Sequence, residues 1–114
     1  MFDFEKLEVY GKTKKFNKSI TNFVSQNEVD KVVYDQLRRA SFSIMLNIAE
    51  GSGRFTNRDK RHFYVIARGS VFEVVAILDF LKDQESIEEA TFQQYYQYLE
   101  EISKMLFSLI KGLE

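Results

Sequence analysis

An all-α protein, an antiparallel up-down-up-down four-helix bundle in one domain over residues 1–114, is the fold this sequence predicts. Three observations carry the prediction. Proline is absent and only five glycines occur, so little interrupts long helices. Apolar residues recur at alternating three- and four-residue steps in four separate segments. Short turns divide those segments, and helices of roughly 20 to 27 residues so connected lie antiparallel, each about 30–40 Å long.

The first helix carries Val9, Phe16, Ile20 and Phe23, with Asp3 as its candidate cap. The second carries Val33, Leu37, Ala40, Ile44 and Ile48; Ser25 or Asn27 opens it and Gly51 closes it. The third runs through Phe63, Ala67, Ser70, Val74, Ile77 and Leu81, with Thr56 and Asp59 as a capping box. The fourth has the clearest stripe: Phe92, Tyr95, Leu99, Ile102, Leu106, Leu109 and Leu113, opened by a Ser86/Glu89 capping box.

The third helix has more apolar surface than one seam requires. Val65, Gly69, Phe72 and Ala76 form a second stripe at steps of four, three and four, opposite the first. Glycine within a helix costs about 1 kcal/mol relative to alanine, and close approach of another backbone would offset that. On the fourth helix Phe107 falls off the seam, while Tyr96, Tyr98 and Ile110 widen it. A periodic second stripe predicts a homo-oligomer interface rather than scattered exposed hydrophobes.

Composition excludes several classes of chemistry. There is no cysteine, hence no disulfide, thiolate metal site or thiol nucleophile. A single histidine, His62, cannot supply multi-histidine metal ligation, and no Glu-x-x-His pair marks a di-iron bundle. No metal or cofactor is expected. No apolar run approaches the roughly 20 residues of a membrane span, and the first residues, MFDFEKLEVY, lack a signal-peptide layout, so a cytoplasmic protein is expected. Charge is unevenly divided: residues 1–70 hold 13 Lys/Arg against 8 Asp/Glu, residues 71–114 hold 3 against 9. That asymmetry suits either a polyanion-facing side or complementary faces that meet between copies.

Four stretches, FEKLEVY, LRRASFSIMLNIAEGSGR, FYVIARGSVFEV and EISKMLFSLIKGL, resemble the bacterial four-helix-bundle proteins encoded in intervening sequences of large-subunit ribosomal RNA genes. Some relatives carry ribosomal-protein names, and the accessory variability determinant of diversity-generating retroelements is distantly similar. The resemblance spans nearly the whole chain, and its specific part is the pairing of N-I-A-E-G with a downstream A-R-G-S. It implies a bundle assembled as a homopentameric ring that binds nucleic acid. Met45 stands where the family commonly has proline, so a weaker kink near Asn47 is expected.

The GSG turn at residues 51–53 lacks the spacing and Gly-Lys-Ser/Thr ending of a P-loop. Gly51 and Gly53 read better as helix-end residues that tolerate left-handed backbone. Arg58, Lys60 and Arg61 fall in or near the first turn of the third helix, whose dipole disfavours cations by up to about 1 kcal/mol each. Together with Arg54, Arg38 and Arg39, they suggest an external phosphate, assisted by helix amides. Lys12, Lys14, Lys15 and Lys18 read as an ordinary solvated helix face.

Asn47, Glu50 and Arg68 are expected to be structural polar residues. Asn47 would be hydrogen-bonded at a helix end. Glu50, at the negative end of its helix, needs a cation from Arg54, Arg61 or a neighbouring subunit's Arg68, in a contact between helices or copies. His62 reads as a surface residue, and Tyr95, Tyr96 and Tyr98 as packing rather than base-stacking groups. No constellation supplies nucleophile, base and oxyanion donors together, so no enzyme is expected. Two functions remain. The first is a ring that binds RNA or DNA electrostatically through Arg38, Arg39, Arg54, Arg58, Lys60 and Arg61. The alternative is an oligomeric scaffold or accessory subunit for a partner protein such as a reverse transcriptase.

Overall fold

The structure, a computed structural model, describes residues 1–27 and 29–114. The described residues form four α-helices and no strand: α1 (Glu8–Gln26), α2 (Lys31–Ser52), α3 (Asn57–Asp83) and α4 (Glu89–Gly112). A short 3-10 helix (Asp3–Lys6) precedes them. They enclose one core, in which Ile20, Leu37, Ile44, Ile48, Ala67, Val74, Leu99, Ile102 and Leu106 are fully shielded from solvent. The backbones of α1 and α3 each approach α2 and α4.

Most of the expected apolar stripes face that core. On α2, Leu37, Ala40, Ile44 and Ile48 are buried; on α4, Phe92, Leu99, Ile102 and Leu106 are. On α3 the buried face is displaced by one position. Tyr64, Val71 and Leu78 join Ala67, Ser70, Val74 and Leu81, while Phe63 and Ile77 lie at its half-buried margin. On α1, Val24 takes the interior place expected for Phe23, and two polar residues, Thr13 and Asn17, also point inward. A core face more than 100° wide admits adjacent residues at its edges, so periodicity alone does not choose between them.

The helix ends depart further from expectation. Asp30, not Ser25 or Asn27, caps α2, accepting from the Val32 and Val33 amides at 2.9 and 3.4 Å. Ser25 and Asn27 belong instead to the end of α1, where their side chains donate to the Asn22 and Phe23 carbonyls. Asp3 opens the 3-10 helix, and α1 starts after Leu7, whose side chain makes no cap. Thr56 does cap α3, accepting from the Asp59 amide at 3.1 Å.

Ser86 does not cap α4, which begins after Glu88 without a side-chain cap. Its amide instead donates to the Leu81 carbonyl at 2.9 Å, and the Glu85 amide donates to Lys82 at 3.0 Å. With Glu85 at φ 60°, these bonds make a Schellman motif that ends α3. The left-handed position is one glycine usually fills.

Gly51 and Gly53 do not end α2 in left-handed backbone. No glycine has positive φ, and Gly53 is right-handed at φ −89°. Gly51 is needed for space: a Cβ there would lie 2.9 Å from Phe63 Cβ and 3.0 Å from Tyr64 Cε1. The missing side chain lets α3 lie directly against the end of α2.

Cross-bonds tie the two helices along their lengths, from Gln36–Glu73 (2.6 Å) through Ser43–Ser70 (2.7 Å) to Lys60–Ser52 (2.9 Å). Rising numbers on α2 meet falling numbers on α3. Asn47 is half-buried one turn before the helix end, donating to the Ser43 carbonyl and hydroxyl, and so extends the Ser43–Ser70 link. Helix α2 runs unbroken through Met45.

Glu85 in left-handed backbone gives a direct test. Glu85→Gly should stabilise the protein by about 1 kcal/mol, because an L-residue at this φ bears a steric penalty that glycine escapes. The urea unfolding midpoint should rise; an unchanged or lowered midpoint would show that the turn is not strained.

Candidate functional site

The six cations singled out in the sequence do not form one cluster. Arg54, Arg58, Lys60 and Arg61 surround the turn between α2 and α3. Arg38 and Arg39 lie in the first half of α2, roughly 20 Å from Arg54 along the helix axis.

At the turn, most of the positive charge has an internal partner. Arg54 donates to Glu50 at 2.6 Å and its guanidinium lies 4.4 Å from the Phe63 ring centre. Lys60 Nζ donates at 2.9 Å to the carbonyl of Ser52, the last residue of α2. Arg61 donates at 3.2 Å to the carbonyl of Leu113, the C-cap of α4. Both acceptors are among the carbonyls a helix leaves unpaired at its negative end. The cations disfavoured by the α3 dipole are thus compensated by the C-termini of α2 and α4. Of these four, Arg58 alone has no hydrogen bond or ion pair among the described residues. Carboxylates are interleaved too: Asp3, Glu50 and Asp59 line the ≈ 490 Å³ cavity beside Arg54.

Glu50 thus has one of the cationic partners expected for it, Arg54, but the pair is a local contact four residues apart, with both side chains about half exposed, and does not bridge two helices. Exposed pairs of this kind contribute little to stability. Arg68 lies elsewhere, its guanidinium 4.9 Å from the Phe72 ring centre and 5.6 Å from that of Phe107. Its Nε is buried without an acceptor among the described residues.

A different surface gathers positive charge unopposed. Between α1 and α2 runs a groove of ≈ 570 Å³ lined by Tyr10, Lys14, Asn17, Lys18, Thr21, Asn22, Phe42 and Met45. None of the lining residues is acidic. The α1 members follow helical spacing and form one face, legible in the sequence once the neighbouring helix is known. Phe42 and Met45 enter from α2, and the Arg38 guanidinium lies 5.2 Å from the Phe42 ring centre while donating to the Tyr34 hydroxyl. Lys12 is turned away, paired at 3.0 Å with Glu101 on α4, and that bond raises its pKa.

The outer stripe of α3 is open: Val65 and Phe72 are 53% and 58% exposed, and Gly69 and Ala76 are exposed beside them. A Cβ on Gly69 would meet nothing within 4 Å, so no contact within the chain requires glycine there. Phe107, Ile110 and Arg68 complete a shallow apolar groove with this stripe.

His62 is exposed, edge-on to Phe63. Tyr95 and Tyr98 are half-buried against Phe16, and their hydroxyls reach Ser19 and the Lys12 carbonyl. Burial raises the Tyr98 pKa. Among the described residues no group of three or more His, Cys, Asp or Glu is placed to hold a metal ion. Among the described residues no helix is long and apolar enough to cross a membrane.

The model of the 23S rRNA-intervening sequence protein family matches residues 5–108. Among solved structures, the chain is similar to a protein of unknown function from the S23 ribosomal protein family of Bacteroides thetaiotaomicron VPI-5482. That likeness has a TM-score of 0.85 at 27% identity and covers 90% of this chain and 98% of the other. No functionally curated protein matches.

The internal bonds of Lys60 and Arg61 separate stabilising cations from idle ones. Lys60→Ala and Arg61→Ala should each destabilise by about 1 kcal/mol, the net contribution of one such hydrogen bond, whereas Arg58→Ala should fall within about 0.5 kcal/mol of the parent. Chemical denaturation of the three variants measures the difference.

Proposed function

The chain belongs to the 23S rRNA-intervening sequence protein family, and on that premise we propose a non-enzymatic, cytoplasmic nucleic-acid-binding protein. In this reading it is an antiparallel up-down-up-down bundle that joins copies of itself in a ring. It holds phosphate backbones through the face made by α1 and α2. One observation carries the reading: Lys14 and Lys18 flank a groove with no carboxylate in its lining. A polyanion entering there meets fixed positive charge without acidic repulsion, and its binding releases condensed counterions. Arg39 and Arg58, exposed and without ion pairs among the described residues, extend the contacts to phosphate, which position a nucleic acid without reading its sequence. Lys60, Arg61 and Arg54 contribute long-range field while remaining engaged internally.

Assembly rests on the exposed stripe of α3. Phe72 and Val65 offer a contiguous apolar band, and Gly69 leaves room for a second backbone. The exposed Phe72 and Phe107 rings, with the Arg68 guanidinium set against both, favour a contact with another polypeptide across this band. The same observation supports the second reading, an accessory scaffold whose partner is a different protein.

Two measurements test the proposal. Binding of single- and double-stranded RNA and DNA should weaken about tenfold or more between about 50 and 200 mM salt, with little dependence on sequence. A Lys14→Glu/Lys18→Glu variant should lose most of that affinity at unchanged thermal stability; absence of binding to every probe at low salt would end the reading. Sedimentation should show a species well above the 13.5 kDa of one chain. Phe72→Glu should convert it to monomer. A monomeric parent would remove the ring and leave the scaffold reading.

A further inference from the structure

We propose that the α1–α2 groove takes an unpaired nucleotide, its base stacked on Phe42 and its phosphates held by Lys14 and Lys18. The inference rests on the nucleic-acid reading above and specifies the form of nucleic acid the groove selects.

Phe42 is 40% exposed on the α2 wall, a large aromatic surface left uncovered within a basic groove. Its other contacts hold it in place. The Arg38 guanidinium lies 5.2 Å from the ring centre and is fixed by its bond to the Tyr34 hydroxyl at 3.1 Å. A base laid on the exposed part of the ring would join an arginine–aromatic stack already formed, so little ordering is needed on binding. Lysines at the spacing of one helical turn stand on the α1 wall, within reach of the flanking phosphates.

Asn17 also lines the groove. Asn17, 7% exposed, donates through Nδ2 to the carbonyls of Thr13 and Ser41, both at 2.9 Å. Two carbonyl partners determine which end of the carboxamide is nitrogen, and its Oδ1 has no donor among the described residues. An amino or imino edge of an unpaired base supplies such a donor. In a duplex those edges are engaged in pairing and the base faces are covered by their neighbours. A duplex therefore offers its phosphates to the lysines but nothing to Phe42.

The test compares a short unstructured RNA, the DNA of the same sequence and an RNA duplex, each fluorescently labelled, at one ionic strength. Phe42→Ala should weaken binding of both single strands about tenfold, the stacking of one base, and leave duplex binding within twofold. Phe42→Tyr should retain single-strand binding. Lys14→Glu/Lys18→Glu should weaken all three probes. If Phe42→Ala changes single strand and duplex equally, or neither, the stacking inference falls while electrostatic binding stands. If the parent binds no probe, both fall. If Phe42→Ala alters sedimentation instead of affinity, Phe42 is a contact between copies and the inference is overturned.

Discussion

The close approach of α3 to the end of α2 sets the arrangement of the rest. With only hydrogen at Gly51, Phe63 and Tyr64 pack against the α2 backbone itself, and the turn that follows is short. The Ser43–Ser70 and Gln36–Glu73 bonds then hold the two helices in one register. That register rotates Tyr64, Val71 and Leu78 into the core and leaves Val65 and Phe72 outside. Exchanging these sets would take a rotation of α3 by about 100°, one residue's step around the helix, which the cross-bonds oppose.

Helix termini explain why a dense run of cations can carry little free charge. The last carbonyls of α2 and α4 need donors, and Lys60 and Arg61 provide them from near the start of α3. The unfavourable position of those cations relative to their own helix is offset by two favourable ones relative to its neighbours. With Glu50 engaging Arg54 as well, three of the four cations around the turn have partners within the chain. The lysines of α1 are different. Lys14 and Lys18 stand on a helix with one acidic residue, Glu8, and face a wall that offers none.

The two notable surfaces lie on different helix pairs. The apolar band belongs to α3 and α4, the basic groove to α1 and α2. Since α1 and α3 each neighbour α2 and α4, these pairs occupy opposite sides. Contact between copies through one side would leave the other accessible. An apolar face and a cationic face thus coexist on one small domain without sharing residues.

Helical class, the number of helices and most core positions were legible in the sequence, because burial of one face imposes a period near 3.6 that no other element mimics over 20 residues or so. The Thr56 cap and the outer α3 stripe were legible for the same reason, each being encoded within one helix. Asn27 and Ser86 were misread because capping signals resemble one another in sequence, and which helix end a residue serves depends on where the backbone turns; Gly51 was misread because close packing calls for glycine as readily as a left-handed helix end does. The use of Lys60 and Arg61 as donors to distant carbonyls, and the meeting of the α1 lysines with Phe42, required the tertiary structure. Charge and aromatic character are properties of residues, but whether a cation is engaged or available is a property of what folds beside it.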